Sequence, residues 1–124
     1  MGTPRLLIVE DEESIAFAMK RYFTGRGFLV DCAREREEAE ALVANKRYAV
    51  VIADLRLTGV HGAEGLDIIG YVRERCPWAR TILLTAYGSP EVEAEARSRG
   101  VDAVIRKPKP LPDLAQVVFG LLQE

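Results

Sequence analysis

Two cysteines, one histidine and one tryptophan are all that this chain has of the residues from which metal centres, disulfide frameworks and redox sites are most often built. Cys32 and Cys76 stand far apart, with no CxxC and no Cys/His ligand spacing. That pattern excludes a zinc ribbon and a disulfide scaffold and predicts reduced thiols in a cytoplasmic protein. An excess of one charge is also missing: 17 Lys and Arg against 19 Asp and Glu leave a formal charge of -2. No global field therefore draws the chain to nucleic acid or to an anionic membrane, and partner choice falls to local sites. No apolar run approaches the roughly 20 residues of a membrane span. The start, Met1 to Leu6, lacks a signal-peptide core and the Ser/Thr wanted for myristoylation. Internal repeats, low-complexity tracts and interdomain linkers are absent as well. What remains is 124 residues with 48% apolar side chains, enough for an ordinary core in one domain over residues 1–124.

Short apolar runs alternate with helical patterns along the whole length. Strands are predicted at 5–9, 28–33, 48–53, 80–85 and 101–106. Helices are predicted at 14–24, 36–46, 65–75, 90–99 and 111–122. The first helix carries Ile15, Phe17, Ala18, Met19, Tyr22 and Phe23 at helical intervals and is stopped by Gly25 and Gly27. In the second, Ala39, Leu42 and Val43 face inward. Strand-helix alternation with short connections implies an α/β fold, a parallel sheet whose right-handed crossovers cover both faces with helices.

Asp54 ends the uninterrupted apolar run from Tyr48 to Ala53. A carboxylate at the mouth of a buried strand is costly unless chemistry needs it. Other strand ends carry Glu10 and Asp11, Thr85 and Lys107. In an open parallel sheet the binding crevice lies beyond the carboxyl ends of the strands, at the switch in strand order. With the order 2-1-3-4-5 the first and third strands are neighbours, so Glu10 and Asp11 meet Asp54, with Thr85 and Lys107 on the far side. Two carboxylates about 4 Å apart repel by roughly 4 kcal/mol at an effective dielectric near 20. One lysine only partly offsets three acids. A hard divalent cation completes the balance, and all-oxygen ligation with retained waters favours Mg2+, with Mn2+ able to substitute.

The segments Leu6 to Glu12, Val50 to Asp54, Leu83 to Ala86 and Arg106-Lys107-Pro108 resemble the receiver domains of two-component response regulators, and the likeness covers essentially the whole chain. The resemblance implies a five-stranded, flavodoxin-like (βα)5 three-layer sandwich. It implies that Asp54 accepts a phosphoryl group from a histidine kinase or phosphotransfer protein, forming an acyl phosphate. Asp11 would bind Mg2+ directly, Glu10 mainly through water, and the backbone carbonyl of Arg56 would complete the protein ligands. Thr85 and Lys107 would bond the phosphoryl oxygens. Such a chain is no conventional enzyme: it catalyses its own phosphorylation and dephosphorylation and signals to an output protein or domain, with homodimerisation on phosphorylation one mode of output. The residue types suit the chemistry, because phosphoryl transfer depends chiefly on positioning and charge neutralisation. A hydroxyl and a compact ammonium can then follow the added charge and carry it to the fold.

Plainer readings stand beside these. Glu10-Asp11-Glu12 is also an acidic first turn that favours a helix N-terminus, and Thr85 alone is a strand-end residue. Lys109 competes with Lys107, which adjoins the strand and precedes Pro108. His61 reads as an exposed loop residue and Trp78, beside Pro77, as a packing anchor. Gly59, Gly62 and Gly65 lack a phosphate-loop spacing and bend a loop. Two alternatives to the phosphoacceptor are a receiver-like interaction module that works without phosphorylation and a haloacid-dehalogenase-type phosphatase. Arg56 stands where the phosphatase would have its second aspartate.

Two departures from the resemblance bear on output. Val104 occupies the position of an aromatic whose rotation usually reports phosphorylation, and Tyr87 is a candidate substitute. The loop Thr58 to Gly65 is about three residues longer than the family norm, with Thr58 where proline is common. Output is therefore expected to move toward this loop and the third helix. Arg56 and Tyr87 flank the phosphoryl site and are expected to slow hydrolysis of the acyl phosphate. The chain ends right after the fifth helix and is expected to contain no DNA-binding or enzymatic output domain and to make no direct nucleic-acid contact.

Overall fold

The computed structural model describes residues 2–54, 63–86 and 89–123. Strands and helices alternate: β1 (Arg5–Val9), α1 (Glu13–Thr24), β2 (Leu29–Ala33), α2 (Arg36–Asn45), β3 (Val50–Asp54), α3 (Ala63–Arg75), β4 (Arg80–Thr85), α4 (Pro90–Ser98), β5 (Ala103–Arg106) and α5 (Leu111–Leu122). The strands form one parallel sheet in the order β2-β1-β3-β4-β5. None of the described helices is long and apolar enough to cross a membrane.

The period-2 side-chain alternation divides each central strand between two cores. Leu7 and Val9 of β1, Val51 and Ala53 of β3 and Leu83 of β4 pack with Ala39, Val43, Ile68, Ile69, Val72 and Ala96 of α2, α3 and α4. Leu6, Ile8, Val50, Ile52, Ile82 and Leu84 turn the other way, onto Met19 and Phe23 of α1 and Leu114, Ala115 and Val118 of α5. Because the central strands are buried on both faces, they read as continuous apolar runs rather than as alternation.

Local differences from the expected boundaries have simple causes. Tyr48 is buried, but β3 pairs only from Val50, and it runs through Asp54 rather than stopping before it. Val101 belongs to the α4–β5 turn, where Gly100 takes φ +89° and Val101 N–H donates to Ala96 O at 3.1 Å. A Cβ at Gly100 would also lie 3.0 Å from Arg73 Nε. Gly27, at φ +99°, provides the left-handed turn after α1, and Phe28 N–H returns to Phe23 O at 3.2 Å. Phe17 lies off the inward stripe of α1, 62% exposed, and Trp78 is no packing anchor, being 45% exposed with Arg47 stacked over its ring at 4.0 Å.

Side-chain pairs tie the helices across the surface. Asp67 of α3 accepts from Arg36 of α2 at 3.0 Å and from Arg99, just beyond α4, at 2.6 Å. Arg36 also binds Glu40 at 2.8 Å and Arg99 binds Glu95 at 2.9 Å. The result is a chain of alternating charge, Glu40–Arg36–Asp67–Arg99–Glu95, over α2, α3 and α4.

Candidate functional site

Parallel pairing aligns the carboxyl ends of β1, β3, β4 and β5, and with them the strand-end residues. Ala53 pairs with Val9, Asp54 with Leu84 and Thr85 with Arg106. Glu10 continues the β1 line, its N–H donating to Ala33 O at 2.9 Å. Glu10, Asp54 and Thr85 are each at most 2% exposed. Lys107 N–H donates to Thr85 O at 2.9 Å, which fixes the lysine backbone at the end of β4, and the Lys107–Pro108 peptide is cis. From there Lys107 Nζ donates to Asp54 Oδ2 and lies 3.8 Å from Glu10 Oε1. Lys109 is exposed.

One ammonium thus faces two buried carboxyl groups. Glu10 Oε2 accepts from Glu12 N–H at 3.0 Å, whereas the ionised carboxyl has no hydrogen-bond donor for its buried Oε1 among the described residues. Burial pushes Glu10 up to about 8. Asp54 adds to the rise by accepting a hydrogen bond from the protonated acid and by repelling the ionised one. The Glu12 amide and Lys107 pull the other way without overcoming it. Two oxygen donors at a strand edge, one of them unsatisfied when charged, suit a hard divalent cation. Asp11 is exposed on the turn beside them, and among the described residues no three ligating side chains converge on one point.

Of the residues expected at the site, the fold brings Glu10, Asp54, Thr85 and Lys107 to one edge. Arg56, whose carbonyl was expected to ligate the metal, lies outside the described residues. So do Thr58, His61 and Tyr87, and with them most of the lengthened loop. Val104 is partly buried and packs against the core under α2, α3 and α4.

Sequence reading missed two carboxylates away from this edge that are well supplied with donors, Asp102 just before β5 and Asp31 midway along β2. Asp102 accepts from Thr81 N–H at 2.8 Å, Thr81 Oγ1 at 3.3 Å and Arg73 at 3.0 Å, with Arg80 at 3.5 Å. Asp31 accepts from the Tyr48 hydroxyl at 2.6 Å and from Lys46 at 3.2 Å. Burial pushes Asp31 upward, but the bonds from Tyr48 and Lys46 outweigh it and hold the group below the usual aspartate range. These partners lie 15 to 29 positions apart, beyond any local pattern.

A doubly wound sheet in the order 2-1-3-4-5, with a buried acid pair and a lysine at its carboxyl edge, defines a receiver domain of a two-component response regulator. The response regulator receiver domain profile matches residues 6–119, and the chain belongs to that family. Among curated proteins it is 30% identical over 121 residues to the photosynthetic apparatus regulatory protein RegA of Rhodobacter capsulatus, a match covering 97% of this chain. The chain spans 64% of that relative's length. Among solved structures it resembles a CheY-like response regulator receiver domain protein from Methanospirillum hungatei, with TM-score 0.91 and 25% identity over 98% of this chain and 95% of that one. It also resembles a response regulator from Burkholderia pseudomallei solved with a phosphorylated aspartic acid, a calcium ion and citrate, with TM-score 0.85 and 26% identity over 93% of this chain and 66% of that one.

Proposed function

We propose that residues 1–124 act as one phosphoacceptor domain, with Asp54 the nucleophile. The observation that carries this reading is the position of Asp54: 1% exposed, at the end of β3, with Lys107 on one oxygen and Glu10 alongside. In the reaction Asp54 Oδ attacks the phosphorus of a phosphohistidine on a histidine kinase or phosphotransfer protein. An acyl phosphate O–P bond forms as the N–P bond breaks, and the electron pair returns to the imidazole. Lys107 follows the charge to the transferred phosphoryl group, and the Thr85 hydroxyl donates to another of its oxygens.

Glu10, Asp11, Asp54 and the Arg56 carbonyl would hold Mg2+, which supplies charge neutralisation at the phosphoryl oxygens. Because Mg2+ keeps several waters, it needs no preassembled cluster of three acids. The related Burkholderia pseudomallei structure, with its phosphorylated aspartic acid and calcium ion, supports aspartate phosphorylation together with a divalent cation. The phosphorylated surface then engages an output protein or domain, or a second copy of this chain. Domains of this kind work on the cytoplasmic side, where the two unpaired thiols stay reduced.

The test is intact-mass measurement after incubation with a small phosphodonor such as acetyl phosphate. One phosphoryl group should be gained only when Mg2+ is present, and Asp54→Asn should gain none. A wild-type protein that stays unmodified with Mg2+ overturns the assignment.

A further inference from the structure

The formal charge of -2 conceals a strong polarity. Every helix begins at the carboxyl edge of the sheet, and the first turns carry Glu13, Glu37, Glu38, Glu64, Glu91, Glu93 and Asp113. One part of the amino edge is basic. There Arg5, Arg47 and Arg80 line a cavity of about 480 Å³ together with Trp78. Lys46 and Arg75 line a second cavity of about 300 Å³, and Arg47 and Trp78 form the wall between the two. No carboxylate lines either cavity among the described residues. Lys46 and Arg80 already bind Asp31 and Asp102. Arg5, Arg47 and Arg75 form no ion pair among the described residues; Arg47 stacks on Trp78, and Arg75 stacks on Tyr71 at 4.9 Å.

We propose that this amino-edge surface is a docking site for an acidic polypeptide segment, with Trp78 as its apolar anchor and Arg5, Arg47 and Arg75 pairing with the segment's carboxylates. Tryptophan and arginine are the residue types that dominate binding energy at protein interfaces, and the guanidinium fork matches a carboxylate. Charge complementarity selects an acidic partner and rejects a basic one. A short segment meets only the positive edge, whereas a nucleic acid long enough to use five cations also meets the field of a net-negative chain. The site lies across the sheet from Asp54 and does not depend on phosphorylation.

Trp78 is the chain's one tryptophan, so its emission reports the site directly. The whole chain is titrated at low salt with a short synthetic peptide of glutamates around a central leucine. A lysine peptide and a single-stranded oligothymidylate of matched length serve as competing probes. The expected result is a saturable shift with the acidic peptide alone, lost as salt is raised. Arg5→Glu and Arg47→Glu should each weaken binding about tenfold or more, read by titration calorimetry as well, with circular dichroism confirming the fold. No saturable change, an equal response to the lysine peptide, tighter binding of the oligothymidylate, or full affinity in both folded charge-reversal variants overturns the proposal. The measurement needs neither phosphodonor nor Mg2+, so it stands whatever the outcome at Asp54.

Discussion

The two ends of the sheet treat a carboxylate in opposite ways. Asp102, at the amino edge, and Asp31, midway along β2, sit among donors, two arginines and a threonine for one, a tyrosine and a lysine for the other. At the carboxyl edge Glu10 and Asp54 lie side by side, both facing the Lys107 ammonium, and are more deeply buried than either. The same change, removal of a negative charge, therefore has opposite signs at the two ends. A carboxylate ringed by cationic and neutral donors belongs to the structure; a buried pair of like charges is held ready for a charge still to come.

The largest effect is expected from Asp102→Ala, which removes the acceptor that Thr81 N–H and Arg73 share and the carboxylate beside Arg80, and should lower stability by about 3 kcal/mol in urea unfolding. An unchanged midpoint would remove the contrast altogether. At the other end, Glu10→Gln should raise stability by about 2 kcal/mol at pH 9 in the absence of metal, since it relieves a buried like-charge pair. Its pH course follows from linkage. Folded Glu10 holds its proton up to about pH 8, whereas the unfolded chain releases it near its ordinary value of 4.5. Between those limits the native state binds more protons, so wild-type stability falls as pH rises and then levels off above about 8. The gain from Glu10→Gln should grow through that window and shrink when Mg2+ is added; a pH-independent gain would show that charge is not its cause.

Asp31→Asn should cost about 1 kcal/mol at neutral pH, because the amide still accepts from Tyr48 but no longer pairs with Lys46. For Asp31 the sign of the linkage is reversed. Its folded value is depressed, so its contribution is present above the ordinary aspartate range and lost as acid titrates it. The smallest effect belongs to the surface. A double-mutant cycle on Arg36 and Asp67 should give a coupling of about 0.5 kcal/mol that fades in high salt, and a larger value would mark this pair as more than a solvated contact.

The element order and the topology were legible in the chain, because strands buried on both faces read as apolar runs and the helices between them keep a 3.6-residue stripe. Phe17 shows the limit of that signal: an apolar residue near the stripe is counted with it although it faces water. Glu10, Asp54, Thr85 and Lys107 could be placed together because each ends a strand, and parallel pairing brings strand ends into line. Asp102 could not, since its partners come from α3 and the start of β4 and no periodicity links them. Trp78 failed for a different reason. Its place beside Pro77 reads as a packing anchor, but it follows α3 in a turn where Arg47, from a separate loop, covers its ring. The polarity of the fold was written in plain view in the acid-first helices, yet it becomes visible only once every helix is known to start at the same edge.

The ion chain over α2, α3 and α4 has a mechanical consequence. Asp67 holds Arg36 with one carboxylate oxygen and Arg99 with the other. Any slide of α4 along the sheet must therefore open the Arg99 contact or drag α3, and through it α2, in the same direction. Exposed pairs are weak, so the linkage acts as a light clutch: it transmits small displacements across the helical layer and slips under large ones.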